Sequence, residues 1–168
     1  MKKLLMCGML VFMLLANGIE PGNAWTDENW LSLEWVGFSL FDGGYESFGG
    51  GVRYERMLGQ YVLGANLYFT VGSLMSFNAE AIFGIVVWRI VYFGVGLGYG
   101  FVSGHNLNAH GVAFTPEFGL RFGFFPNRQF RTFLNFTMGV PMLFGIGSGQ
   151  IRVRYVLYRP SIGLGLSW

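Results

Sequence analysis

Lysine is absent after residue 3, cysteine occurs once, at Cys7, and charged residues make up only 12% of the 168-residue chain. Ordinary soluble domains carry about 25% charged residues. Five scattered prolines exclude a proline-rich linker, and a hydrophobic content of 52% excludes a disordered chain. The N-terminus has the three regions of a secretory signal peptide: Lys2 and Lys3, the apolar run from Leu4 to Ala16, and the small-x-small triplet Gly22-Asn23-Ala24. The run is shorter than the roughly 20 residues of a spanning helix. Met6, where a small residue is wanted before Cys7, argues against a lipoprotein signal. The expected organisation is a signal peptide over 1–24 and one unit over 25–168. That unit has nine arginines, eight carboxylates, no lysine and no cysteine. A disulfide framework and thiol chemistry are excluded for it, and no basic patch is available for nucleic acid.

A long apolar helix is also missing. The best window after the signal, Ala81 to Gly100, contains Arg89 and glycines at 84, 94, 96 and 98, each unfavourable inside a spanning helix. With a period of two the same stretch is regular. Val91, Phe93, Val95, Leu97, Tyr99 and Phe101 share one face, and Tyr92, Gly94, Gly96, Gly98 and Gly100 the other. Comparable alternation covers Leu31 to Trp35, Phe48 to Met57, Tyr61 to Thr70, Phe77 to Ile85, Val112 to Phe122, Thr132 to Val140 and Ser161 to Trp168. Eight such strands carry about forty bulky apolar side chains on one parity, more than the interior of an eight-stranded barrel holds. The other parity is small and polar, without the lysines of a soluble surface. Bulky-out and small-in is the arrangement of a barrel in lipid, where closure satisfies every backbone group.

Short connections (58–60, 88–90, 124–129) alternate with longer ones rich in Gly, Ser, Asn and Asp (41–47, 71–76, 103–110, 141–150). The expected fold is therefore all-β: an eight-stranded antiparallel up-and-down transmembrane β-barrel with both termini on the periplasmic side. Trp25, Trp30, Trp88 and Trp168 are expected in an interfacial girdle at that end. On the central strand Leu97 is expected to face lipid and Gly98 the lumen, where serine should be mild.

The last strand, Ile162-Gly163-Leu164-Gly165-Leu166-Ser167-Trp168, resembles the alternating, aromatic-ended strand by which outer-membrane barrels are recognised for assembly. With the signal peptide it makes the chain similar, at the level of class, to the small OmpA, OmpX and OmpW-like barrels. The resemblance implies location in the outer membrane, lipid and the barrel-assembly machinery as partners, and Ile162, Leu164, Leu166 and Trp168 as the assembly signal.

By parity the interior receives Glu34, Arg53, Glu55, Glu80, Glu117, Arg121 and Arg159, four carboxylates against three guanidiniums. Arginine and carboxylate pair well where water is scarce, so these residues are expected to form a lumen charge network, as a structural plug or as a gate. No catalytic, metal or cofactor set emerges. His105 and His110 share a polar loop with Ser103 but have no acid beside them, and the tract Asp42 to Gly51 precedes no helix that would cradle a phosphate. Two uses remain open, with the chain taken as a monomer. One is a narrow passive channel for a small apolar solute, favoured by inward glycines and by Val36, Phe38 and Leu40 on the polar parity. The other is a structural or surface-recognition barrel with a plugged lumen. A lipid-modifying enzyme lacks its residue set.

Overall fold

A computed structural model describes residues 28–40, 46–87, 90–104, 107–126, 131–147 and 150–168. The proposed signal peptide, Trp25, Trp88, Arg89 and His105 lie outside these residues. Nine strand segments occur in chain order: β1 Asn29–Leu40, β2 Glu46–Leu58, β3 Tyr61–Gly72, β4 Leu74–Val87, β5 Val91–Gly104, β6 Leu107–Pro126, β7 Arg131–Gly139, β8 Met142–Gly147 and β9 Gln150–Ser167. All pairings are antiparallel between neighbours, and β1 pairs with β9 from Trp30↔Ser167 onward, so the sheet closes on itself. Both β7 and β8 lie between β6 and β9. They are two halves of one barrel strand interrupted at Val140 and Pro141, because proline has no N–H to give the ladder. The Pro141 carbonyl is still used, accepting from Leu157 N at 2.9 Å. The barrel thus has eight strands.

Alternation of side chains sets the two surfaces. Leu33, Trp35, Phe48, Leu67, Leu97 and Leu164 are among the bulky residues exposed on the outside, with Leu97 59% exposed. Serine, asparagine, threonine and the seven charged residues named above are buried within. This matches the parity of every strand read from the sequence, but one residue departs from the expected girdle. Trp30 belongs to the inward parity and is 2% exposed, with its ring 4.3 Å from that of Phe133, so it is an interior residue and not part of an outer girdle. Trp168 is exposed as expected.

The connections are shorter than the sequence suggests. Only Ser73 separates β3 from β4, β5 and β6 continue to Gly104 and from Leu107, and β8 with the start of β9 occupies most of the expected loop 141–150. Small polar residues looked like loop, yet a hairpin ladder needs only backbone groups, and these strands continue past the end of the apolar outer band. Between β2 and β3, Gly59 has φ 64, the left-handed conformation that a tight hairpin turn demands. At the other end Ser73 anchors its own turn. Its hydroxyl accepts from Glu46 N at 2.7 Å and lies 2.6 Å from the Glu46 carbonyl, to which it donates.

Candidate functional site in the barrel interior

The interior is layered. Near the end where β1 begins and β9 finishes, Trp30, Met57, Val62, Ile82, Tyr92 and Phe133 form a buried apolar cluster. Near the opposite end Val36, Phe38, Tyr68, Leu74, Val102, Ala113, Leu143 and Leu157 form another. Val36 and Phe38, taken from the sequence as a mark of an apolar path, belong to this second cluster. The side chain of Leu40 is outside the described set.

Charged residues lie between the two clusters and connect in strict alternation. Arg121 Nη2 donates to Glu55, 2.7 Å from Oε2 and 2.8 Å from Oε1. Arg53 reaches Glu55 Oε1 through Nε at 2.9 Å and Glu117 Oε2 through Nη2 at 2.9 Å. Glu117 also takes Arg159 Nη2, whose Nη1 donates to Glu80 Oε2 at 2.9 Å. The order Arg121, Glu55, Arg53, Glu117, Arg159, Glu80 is neutral in sum and runs over β6, β2, β9 and β4. Asn78 donates to Glu80 at 2.9 Å and Thr115 donates to the same carboxylate. Pairing of this kind is what makes buried charge tolerable, although Arg53 Nη1 and Arg121 Nε and Nη1 make no hydrogen bond among the described residues.

Two tyrosines extend the arrangement. Tyr92 lies under Arg121 at 4.2 Å and Arg53 at 5.0 Å, and Tyr68 under Arg159 at 4.3 Å. Guanidinium over an aromatic face is favourable, more so when dry. Sequence parity put both tyrosines inward but gave no sign of these cation stacks, which depend on which strands face each other across the lumen.

Glu34 stands apart from this series. It is 3% exposed and accepts from Tyr68 Oη at 2.7 Å, Asn135 Nδ2 at 3.0 Å and Ser32 Oγ at 3.3 Å. Among the described residues its partners are neutral donors. Tyr68→Phe should remove the shortest of them while keeping the ring under Arg159, and cost about 1–3 kcal/mol as a buried lost hydrogen bond. The shift in urea midpoint of the refolded barrel measures it.

Most of the inward glycines are covered by neighbouring side chains. The place of a Cβ at Gly84 or Gly94 is taken by the Tyr92 ring, at Gly96 by the Glu80 carboxylate, and at Gly100 by Leu143 and Asn78. Gly98 is tighter still, for a Cβ there would lie 1.9 Å from the Ala79 carbonyl oxygen. A serine at this position is therefore not mild, contrary to the sequence expectation. His110 is exposed at the strand end, with its ring 6.2 Å from Tyr99.

No protein-family model matches the chain. No curated protein matches it in sequence. Among solved structures, the attachment invasion locus protein Ail of Yersinia pestis, in complex with the heparin analogue sucrose octasulfate, is similar at 12% identity. The match covers 85% of this chain and 99% of that one, with a TM-score of 0.51. Neisserial surface protein A is 13% identical over 86% of this chain and 97% of its own, with a TM-score of 0.48. The N-terminal β-barrel domain of Pseudomonas aeruginosa OprF is 11% identical over 85% and 100%, with a TM-score of 0.45. With its own closed strand order and its likeness to Ail, the chain has the fold of the small eight-stranded outer-membrane β-barrels.

Proposed function

We propose that this protein is an integral outer-membrane barrel with a sealed interior, a structural and surface-presenting element and not a conduit. The observation that carries this reading is the filled cross-section: a neutral series of three arginines and three glutamates between two buried apolar clusters. Passage of a solute or ion would require at least one apolar cluster and one salt bridge to part together. Breaking a dry ion pair alone costs several kcal/mol. The outside supports the location, since a continuous apolar surface on a closed sheet is stable in lipid. Removal of residues 1–24 and delivery to the barrel-assembly machinery, with Ile162, Leu164, Leu166 and Trp168 as the recognised face, complete the reading. Self-closure through β1 and β9 suits a monomer.

Planar-bilayer recording of the refolded protein tests it. The expected result is no discrete conductance above the bare bilayer. Steps that respond to Glu117→Gln would overturn the sealed reading in favour of a gated channel. Fractionation provides the second test, with the chain expected in outer-membrane pellets and extracted only by detergent.

A further inference from the structure

The closing seam between β1 and β9 has an arrangement that hydrogen-bonded pairing alone does not require. Gly163 on β9 is flanked by Glu34 on β1 and by Asn135 on β7, its register partners on either side. These two side chains meet over the glycine, Asn135 Nδ2 donating to Glu34 Oε1 at 3.0 Å. Two residues along, Gly165 is flanked by Ser32 and Phe133, and the Phe133 ring leans across it to pack on Trp30 of β1 at 4.3 Å. Both glycines are needed for this. A Cβ at Gly163 would lie 2.9 Å from Glu34 Cγ and 3.1 Å from its Oε1, and one at Gly165 would lie 2.4 Å from the Phe133 ring and 2.4 Å from the Leu31 carbonyl oxygen. Side chains of the first strand thus hold on to β7 across the last strand, which lies beneath them.

We propose that Gly163 and Gly165 form the closure determinant of this barrel, a trough over which a clasp from β1 to β7 locks the last strand in place. Glu34 is suited to the task because it is the interior carboxylate outside the arginine series, and Trp30 because it faces inward. The outward residues of the same strand meet lipid, so the two faces of β9 have separate duties. Closure comes last in this scheme: the clasp forms only after β9 has paired with both β7 and β1. With a bulkier residue in the trough, β1 remains displaced while the rest of the sheet is paired.

The test is disulfide cross-linking of the full chain with Cys7 replaced by serine, refolded in lipid vesicles. One cysteine pair, Leu33→Cys with Leu164→Cys, spans the closing seam, and another, Leu67→Cys with Ala79→Cys, spans the ordinary β3–β4 ladder; both are register partners. Gly163→Ala and Gly165→Ala should lower the seam yield by about tenfold or more, as overpacking of a tight contact would. The β3–β4 yield should stay at the parent level. Adding Glu34→Ala to Gly163→Ala makes room over the trough and should restore most of the seam yield. An unchanged seam yield in both glycine variants overturns the proposal. So does joint loss of both cross-links that Glu34→Ala does not repair, since the glycines would then act on folding as a whole and not on closure.

Discussion

Arg159→Met is expected to lower the unfolding free energy of the refolded barrel by about 3–5 kcal/mol, the cost of leaving a buried partner charge unpaired. Counting charge explains why arginine is the sensitive partner. Among the described residues the interior holds four carboxylates and three guanidiniums, so losing a glutamate brings this set to neutrality, whereas losing an arginine doubles its excess of negative charge. Arg159 matters most because Glu80 has no second guanidinium among the described residues, while Glu55 and Glu117 each touch two arginines. Its loss also uncovers the Tyr68 ring. Arg121→Ala should cost less, since Glu55 keeps Arg53.

The double variant Arg159→Met with Glu80→Gln separates charge from packing. Replacing both partners of a buried pair by groups of similar size is often close to neutral, so most of the lost stability should return. Urea titration in vesicles, followed by tryptophan fluorescence, reads both changes. If the double variant is no better than Arg159→Met alone, the stack on Tyr68 is the larger contribution, and the ion series is not what holds the middle of the barrel.

Strand parity was legible from the sequence because lipid outside and a narrow lumen inside impose opposite demands on neighbouring residues. That logic puts Glu34, Arg53, Glu55, Glu80, Glu117, Arg121 and Arg159 on the inward side, where all are buried. It cannot order them. Parity is a property of one strand, whereas the contact of Arg53 with Glu117 spans β2 and β6 and depends on tilt and register around the whole barrel. Trp30 illustrates a second limit. An aromatic residue near a strand end suits a membrane interface or an apolar inner cluster equally well by composition, and only the phase of its own strand, inward with Ser32 and Glu34, distinguishes them. Glycines are ambiguous in a third way. The absence of a side chain at Gly94 or Gly96 suggests room, but room in a narrow lumen is filled by the largest neighbour, here Tyr92 and Glu80. The break at Pro141 is visible as a proline but reads as the start of a loop, because a strand that resumes with Met142-Leu143-Phe144 is too short to establish its own period.

Adjacent residues on β5 provide the most direct test of the two surfaces. Leu97 points outward near mid-strand, so Leu97→Arg should cost about 2–4 kcal/mol in vesicles, the midplane penalty for an arginine on the lipid face. In detergent micelles, where the new guanidinium finds headgroups or water more easily, the penalty should shrink. Gly98→Ser should also be costly, by about 1–3 kcal/mol as an overpacked contact, but for a different reason. The new Cβ would be forced onto the Ala79 carbonyl and Glu80 Cα, and these are backbone atoms of β4 that cannot rotate away. Because the clash is internal, its cost should be the same in micelles and in vesicles. Comparing urea midpoints for the two variants in both media therefore separates a solvent effect from a steric one. If Leu97→Arg were harmless in vesicles and Gly98→Ser were harmless in both, Leu97 would not be meeting lipid and the close approach of β4 and β5 at Gly98 would be wrong.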